Sequence, residues 1–271
     1  MLIWGYVMKT YIERQDGIRL VYDVKYSHTS PFGIILIHGL AEHKGRYVDF
    51  INELYKLDIS VFALDLRGHG ESFGKRGDIR NFEIYVSDIH CLVCEIKEDY
   101  PDLKLAILGH SLGGLIATVY TATYKTIDWL ILSNPLLISP KKASLLDFFP
   151  YKILGFVKVK KRHSESPEML AYSYNDPLST NHFTLRLLGV IFHQGTRLAS
   201  KVLDKINIPT LLLTGELDPL IDSSALQHLI EKFGGDDKEI KVYKNVKHRL
   251  FQSEHRDVII KEMLAWINSR L

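Results

Sequence analysis

The chain has 271 residues, 46% of them apolar and 24% charged, with a formal net charge of +2. That length suits one large domain with a substantial core, and the composition is that of a globular protein. So small a net charge gives no reason to expect a nucleic-acid partner, and no apolar run approaches the roughly 20 residues needed to span a bilayer.

The first eight residues, MLIWGYVM, carry no basic segment and no small-residue cleavage site, so no secretory leader is expected. Cys91 and Cys94 cannot build a disulfide framework, which fits a reducing compartment, and the expected location is the cytoplasm. Residues 10–14 and 18–25 alternate in polarity around Asp16-Gly17, the pattern of a β-hairpin. Short apolar runs follow at Phe32–His38, Ile59–Asp65, Leu103–Gly109, Trp129–Ser133, Ile208–Thr214 and Glu239–Tyr243. Unbroken runs such as GIILI and TLLLT suit strands buried on both faces, as in a parallel sheet.

Between them lie helical patterns at 46–57, 81–99, 112–125, 222–233 and 255–270, the fourth with Gly234-Gly235 as its stop. Alternation of this kind predicts an α/β class with a doubly wound, mostly parallel sheet flanked by helices. From Leu136 to about Gly195 the rhythm breaks, and the stretch is rich in aromatic and basic residues. A structureless loop of that length is improbable in a compact domain, so an inserted, mainly helical cap is expected. The resulting division is core 1–135, cap 136–195 and core 196–271.

Gly109-His110-Ser111-Leu112-Gly113 is a G-x-S-x-G sequence between the strand pattern LKLAILG and the helix pattern LGGLIATVYTATY. In that setting the glycines permit a sharp turn that lifts Ser111 clear of the sheet, at a helix N-terminus that favours developing negative charge. A serine hydroxyl needs a base, and the base an orienting acid. His248 and Asp218 each follow a late strand pattern, at the strand ends where open α/β sheets place their sites. Glu216 and Asp222 are the rival acids, Asp222 having the look of a helix cap; His255 is the rival base. The backbone N–H groups of Leu40 and Leu112 are the expected oxyanion hole.

The stretches HGLAEHKGRY (38–47), DLRGHGESFGKRG (65–77), GHSLGG (109–114), GELDPL (215–220) and VKH (246–248) resemble the monoacylglycerol lipase and lysophospholipase branch of the α/β hydrolases, in the family's order. The resemblance implies an α/β-hydrolase fold and cofactor-free hydrolysis of monoacylglycerols or related carboxylic esters, with a cap over an apolar acyl tunnel. It also places Glu42 and Arg46 near the polar, glycerol end of the substrate, where they either bind substrate or brace the loop. Animal members carry a second histidine three residues after the catalytic one; this chain has Phe251 there, so the resemblance does not carry monoglyceride selectivity.

The remaining motifs have plainer readings. Cys91-x-x-Cys94 sits in mid-helix rather than at a thiol-activating N-terminus and is read as structural. The histidines show no metal-ligand spacing, so no catalytic metal is expected, and the resemblance implies no cofactor. Asp65, Arg67 and His69 are expected to brace their loop, and the run Lys158–His163 to form a solvated face. The stretch Leu145–Val157 is expected either to pack on the core or to touch a lipid surface, which would make the protein membrane-peripheral. The expected partner is a small-molecule ester or lipid substrate. Two alternatives share the motifs: a peptidase of the proline-iminopeptidase type, and a non-catalytic ligand-binding protein.

Overall fold

The structure, a computed structural model, describes residues 8–139, 158–160 and 176–271. The hairpin expected around Asp16-Gly17 is formed by β1 (Met8–Glu13) and β2 (Arg19–Lys25), which pair antiparallel. After it come β3 (Phe32–Ile37), α1 (Val48–Lys56), β4 (Ser60–Leu64), α2 (Phe82–Asp99), β5 (Lys104–His110), α3 (Leu112–Tyr124) and β6 (Trp129–Ser133). Past the insertion the core resumes with β9 (Thr210–Gly215), α6 (Ser223–Ile230), β10 (Lys238–Tyr243) and α7 (Arg256–Asn268). The eight core strands make one sheet in the order β1-β2-β4-β3-β5-β6-β9-β10, parallel from β4 to β10.

Alternation along each strand explains the unbroken apolar runs. In β3, Ile35 and Ile37 enter one hydrophobic cluster, shared with α2 and α3. Ile34 and Leu36 enter a second, on the opposite face, shared with α1 and α7. Side chains that alternate across a sheet must all be apolar when both faces are covered. The class is therefore α/β with helices on both faces, as expected. β9 starts two residues later than its apolar run because Pro209 has no N–H to give to a ladder. α6 stops at Ile230, before the Gly234-Gly235 pair, its last turn tightening through Lys232 N–H to Leu229 O and Phe233 N–H to Ile230 O.

Of the expected cap, 136–195, the described residues include a short antiparallel ribbon of β7 (Lys158–Lys160) and β8 (His182–Thr184). They also include a helical stretch made of α4 (Leu185–Gly189), a π-helical turn over Val190–Gly195 and α5 (Thr196–Ser200). Residue 195 thus falls inside a continuous helical stretch that packs on α2 and α3. The apolar and basic stretch Leu145–Val157 lies outside the described residues. Among the described residues no helix is long and apolar enough to cross a membrane.

Candidate active site

The sheet order reverses between β3 and β5, whose crossovers run to opposite sides. Such a switch point opens a crevice at the C-terminal strand ends. Six loops leave that edge: 38–47 after β3, 65–81 after β4, Ser111 after β5, Asn134 after β6, 216–222 after β9 and 244–249 after β10. Of the six non-glycine residues with positive φ among the described residues, Ala41, Ser111, Asn134 and Asn245 lie in these loops. Strain of this kind persists only where the surroundings enforce it, and functional sites are where it collects.

Ser111 has φ +51° and ψ −113°, the sharp strand-to-helix turn expected of G-x-S-x-G. The glycines are there for space. A Cβ on Gly109 would lie 2.3 Å from the Gly113 carbonyl oxygen, and one on Gly113 would lie 2.1 Å from that of Ile37. The elbow is pinned by Ser111 N–H donating to Ser133 O at 3.0 Å and by the Ser111 carbonyl accepting from Leu136 N–H at 3.0 Å. Leu112 is the first residue of α3, at the helix end where unpaired N–H groups gather. Loop 38–47 packs against the elbow: a Cβ on Gly39 would stand 3.3 Å from Ser111 Cβ. Leu40, next in that loop, is half-buried.

Asp218 and His248 meet. The His248 Nδ1 and Asp218 Oδ2 atoms are 2.6 Å apart, and the Asp218 side chain is fully buried. The second carboxylate oxygen, Oδ1, accepts from Leu220 N–H at 2.8 Å and Ile221 N–H at 3.1 Å. Those amides hold the carboxylate in place and leave Oδ2 for the imidazole. The rivals are otherwise engaged. Glu216 accepts from Asn245 N–H, and Asp222 caps α6 by accepting from Ser224 and Ala225 N–H. His255 stands at the N-terminus of α7. Replacing Asp222 with alanine should cost about 1 kcal/mol in a urea melt, the usual loss of an N-cap, and leave ester turnover unaffected.

His110 and His38, both near the site, are buried and neutral. Burial pushes His110 down to about 4, its ring 4.7 Å from that of His248. An imidazolium forming at His248 therefore faces no second cation there. His38 is lowered by burial as well; its Nε2 accepts from Leu66 N–H, which leaves Nδ1 to donate to Gly39 O at 2.8 Å. Asp65 accepts from Lys44 and Glu71 N–H, locking loop 65–77 to loop 38–47. Arg67 makes a bidentate pair with buried Asp88, both bonds 2.8 Å. Asp65, Arg67 and His69 all sit in that braced loop, His69 through its contact with Arg67 O.

Glu42 is buried, and both its oxygens are held: Oε2 accepts from Gly39 N–H at 3.1 Å and from Tyr47 O–H at 2.7 Å, while Oε1 lies 3.1 Å from Arg249 Nε. Burial acts to raise its pKa, but the Arg249 charge and the Tyr47 hydrogen bond outweigh it and hold the carboxyl well below the usual range. Arg46 donates to Ser179 Oγ at 2.8 Å and pairs with Asp176, which also meets His43 Nε2 at 2.6 Å. Both residues are thus tied to protein groups around loop 38–47. Phe251 is buried against Phe50, ring centroids 4.3 Å apart, and belongs to the core rather than to the strand-end crevice. Among the described residues no three His, Cys, Asp or Glu side chains group to hold a metal, and Cys91 and Cys94 are both free. Burial raises the Cys91 thiol, the opposite of an activated cysteine.

Three residues of this edge were not singled out from sequence: Asn134, Asp176 and Arg249. Asn134 alone carried a usable sign, an asparagine directly after a strand, a residue type that tolerates left-handed backbone.

Residues 31–255 match the family model described as Serine aminopeptidase, S33. The chain is 31% identical to the monoacylglycerol lipase of Mycolicibacterium smegmatis, over 94% of this chain and 95% of that protein. It is likewise 31% identical to the monoglyceride lipase of Mus musculus, over 91% of this chain and 86% of that protein. Among solved structures, the monoacylglycerol lipase of Paleococcus ferrophilus matches with a TM-score of 0.78 at 27% identity, covering 94% of this chain and 99% of that one. The chain belongs to the monoacylglycerol lipase family of the α/β hydrolases, a family of carboxylic ester hydrolases.

Proposed function

We propose that the protein cleaves monoacylglycerols or closely related lipid esters through an acyl-enzyme on Ser111. The observation that carries this is the 2.6 Å His248–Asp218 pair at the switch-point edge that also bears the strained Ser111 elbow. Ser111 Oγ attacks the ester carbonyl while His248 Nε2 takes its proton. The tetrahedral intermediate collapses with that proton passing to the departing alcohol. Water, deprotonated by His248, then releases the fatty acid and restores the serine. Asp218 fixes the imidazole with its proton on Nδ1 and stabilises the imidazolium. The N–H groups of Leu40 and Leu112 receive the oxyanion. Glu42 and Arg46 serve the site through the loop that carries Leu40, Glu42 by holding Gly39 and Arg46 by holding the 176–179 segment beside it.

The substrate class is supported by the names of the relatives and by the apolar rim of this edge. Ile138 beyond β6, and Leu217 and Leu220 on either side of Asp218, are large exposed apolar side chains. A peptidase reading follows from the name of the matched family model, but it needs a free carboxylate to receive a substrate amine. Among the described residues, the Glu42 carboxylate is neutralised by Arg249 and that of Asp218 is engaged by His248. A panel of monoacylglycerols, lysophospholipids, graded p-nitrophenyl esters and a proline amide tests the choice. Turnover is expected on monoacylglycerols and nitrophenyl esters. Hydrolysis of the amide with none of the esters would overturn the reading.

A further inference from the structure

We propose that Asn134 is the positioning residue that sets His248 against Asp218, an assignment that rests on the reaction proposed above. Asn134 follows β6 directly, is completely buried and has φ +42°. Its Oδ1 accepts from Thr214 Oγ1 at 2.8 Å and from Gly215 N–H at 3.1 Å, at the end of the strand that leads to Asp218. Its Nδ2 donates to the His248 carbonyl at 2.7 Å. Its own N–H donates to Leu213 O at 2.9 Å, and the preceding residue, Ser133, accepts the Ser111 N–H at 3.0 Å. One side-chain amide therefore spans the loop of the acid and the loop of the base, from a backbone that touches the elbow. The amide orientation follows from its partners: an N–H faces one end and a carbonyl the other.

The residue type is demanding. The position needs an acceptor at one end, a donor at the other and a backbone at positive φ, and asparagine supplies all three. Aspartate keeps the acceptor but sets a carboxylate oxygen against the His248 carbonyl. Glycine keeps the backbone and loses all three side-chain bonds. A fully satisfied buried network rigidifies what it joins, and the imidazole is useful only in a narrow range of positions.

The test uses Asn134→Gly and Asn134→Asp in the full chain. It reads kcat and KM on p-nitrophenyl butyrate, thermal melting, and the low-field proton resonance of the His248 Nδ1–H. Both variants should lower kcat by about 100-fold, the penalty of displacing a reacting group by an ångström. KM should stay within about threefold, because the lost interaction matters in the transition state. The low-field resonance should shift or vanish. If either variant fails to fold, Thr214→Val takes its place: it loosens the amide from one side and should lower kcat by roughly 2- to 10-fold, the loss of one hydrogen bond. A folded variant with wild-type kcat and an unmoved resonance overturns the assignment, even if its melting temperature falls. Ser111→Ala separates the two readings. If that variant remains active, the reaction itself is misassigned; if it is inactive while Asn134→Gly behaves as wild type, only the role of Asn134 fails.

Discussion

Ser111→Ala should lose about a millionfold in ester turnover and all labelling by a fluorophosphonate probe, the loss seen when the nucleophile of a serine hydrolase is removed. Asp218→Asn should lose about 10⁴-fold while still folding, because the amide leaves the imidazole in the wrong tautomer. The order of the two effects is informative. In the proposed reaction Ser111 forms the covalent bond, whereas Asp218 works only through His248, held at 2.6 Å. Asp218→Asn should label slowly rather than not at all. Labelling of Ser111→Ala at the wild-type rate would remove Ser111 from the reaction, and Glu216→Gln matching the loss in Asp218→Asn would return the acid to its rival.

The second large effect is on stability. Arg249→Met should destabilise the fold by about 3–5 kcal/mol in a denaturant melt at pH 7, the range for breaking one side of a buried ion pair. Arg249 faces Glu42 at 3.1 Å, and Glu42 is buried where no solvent can replace the guanidinium. The pH dependence gives a sharper signature. Glu42 has a folded pKa well below its unfolded value of about 4.3, so it binds fewer protons folded than unfolded. Its contribution to stability is complete above that unfolded value and is lost as pH falls below it. The neutral buried imidazoles His38, His69 and His110 act in the same direction, starting below about pH 6.5. Burial, the largest cause of their lowering, is common to both proteins; Arg249 adds only a smaller part at His110, so the difference between wild type and variant is dominated by Glu42. Without Arg249, burial dominates and raises the Glu42 pKa above its usual value. The stability gap should then be widest at neutral pH and close as pH falls through 5. A gap that stays constant from pH 7 to 4 would show that Arg249 matters through packing rather than charge.

How much of this could be read from residues alone depends on the range of the interactions. The core strands were legible because a strand covered on both faces is built largely of apolar residues, as in β3 and in Leu211–Leu213 of β9. Ser111, Asp218 and His248 were legible because each follows a strand pattern directly, so the edge they share is set by topology. The meeting of Asp218 with His248, and the engagement of Glu216 and Asp222 elsewhere, needed coordinates. Glu42 was named from its loop, but not its partner: nothing local in Lys247-His248-Arg249 says that the arginine turns towards a glutamate near the start of the chain. Asn134 is the same case, since its role lies in three contacts with segments distant in sequence. Within the insertion, nothing in the basic run Lys158–His163 announces that Lys158–Lys160 pairs as a strand with His182–Thr184. Three-residue strands are too short to leave a period in the sequence.

The two ends of the insertion are fastened to the catalytic edge itself. At its exit, Leu136 N–H donates to the Ser111 carbonyl. At its return, Asp176 is gripped by His43 and Arg46, and Thr180 N–H reaches Ala41 O. Both anchors lie in loops of the proposed site. Grafting the intervening residues from a relative with a different acyl preference, with Leu136 and Asp176 kept as the splice points, is a route to new ester specificity on an unchanged engine.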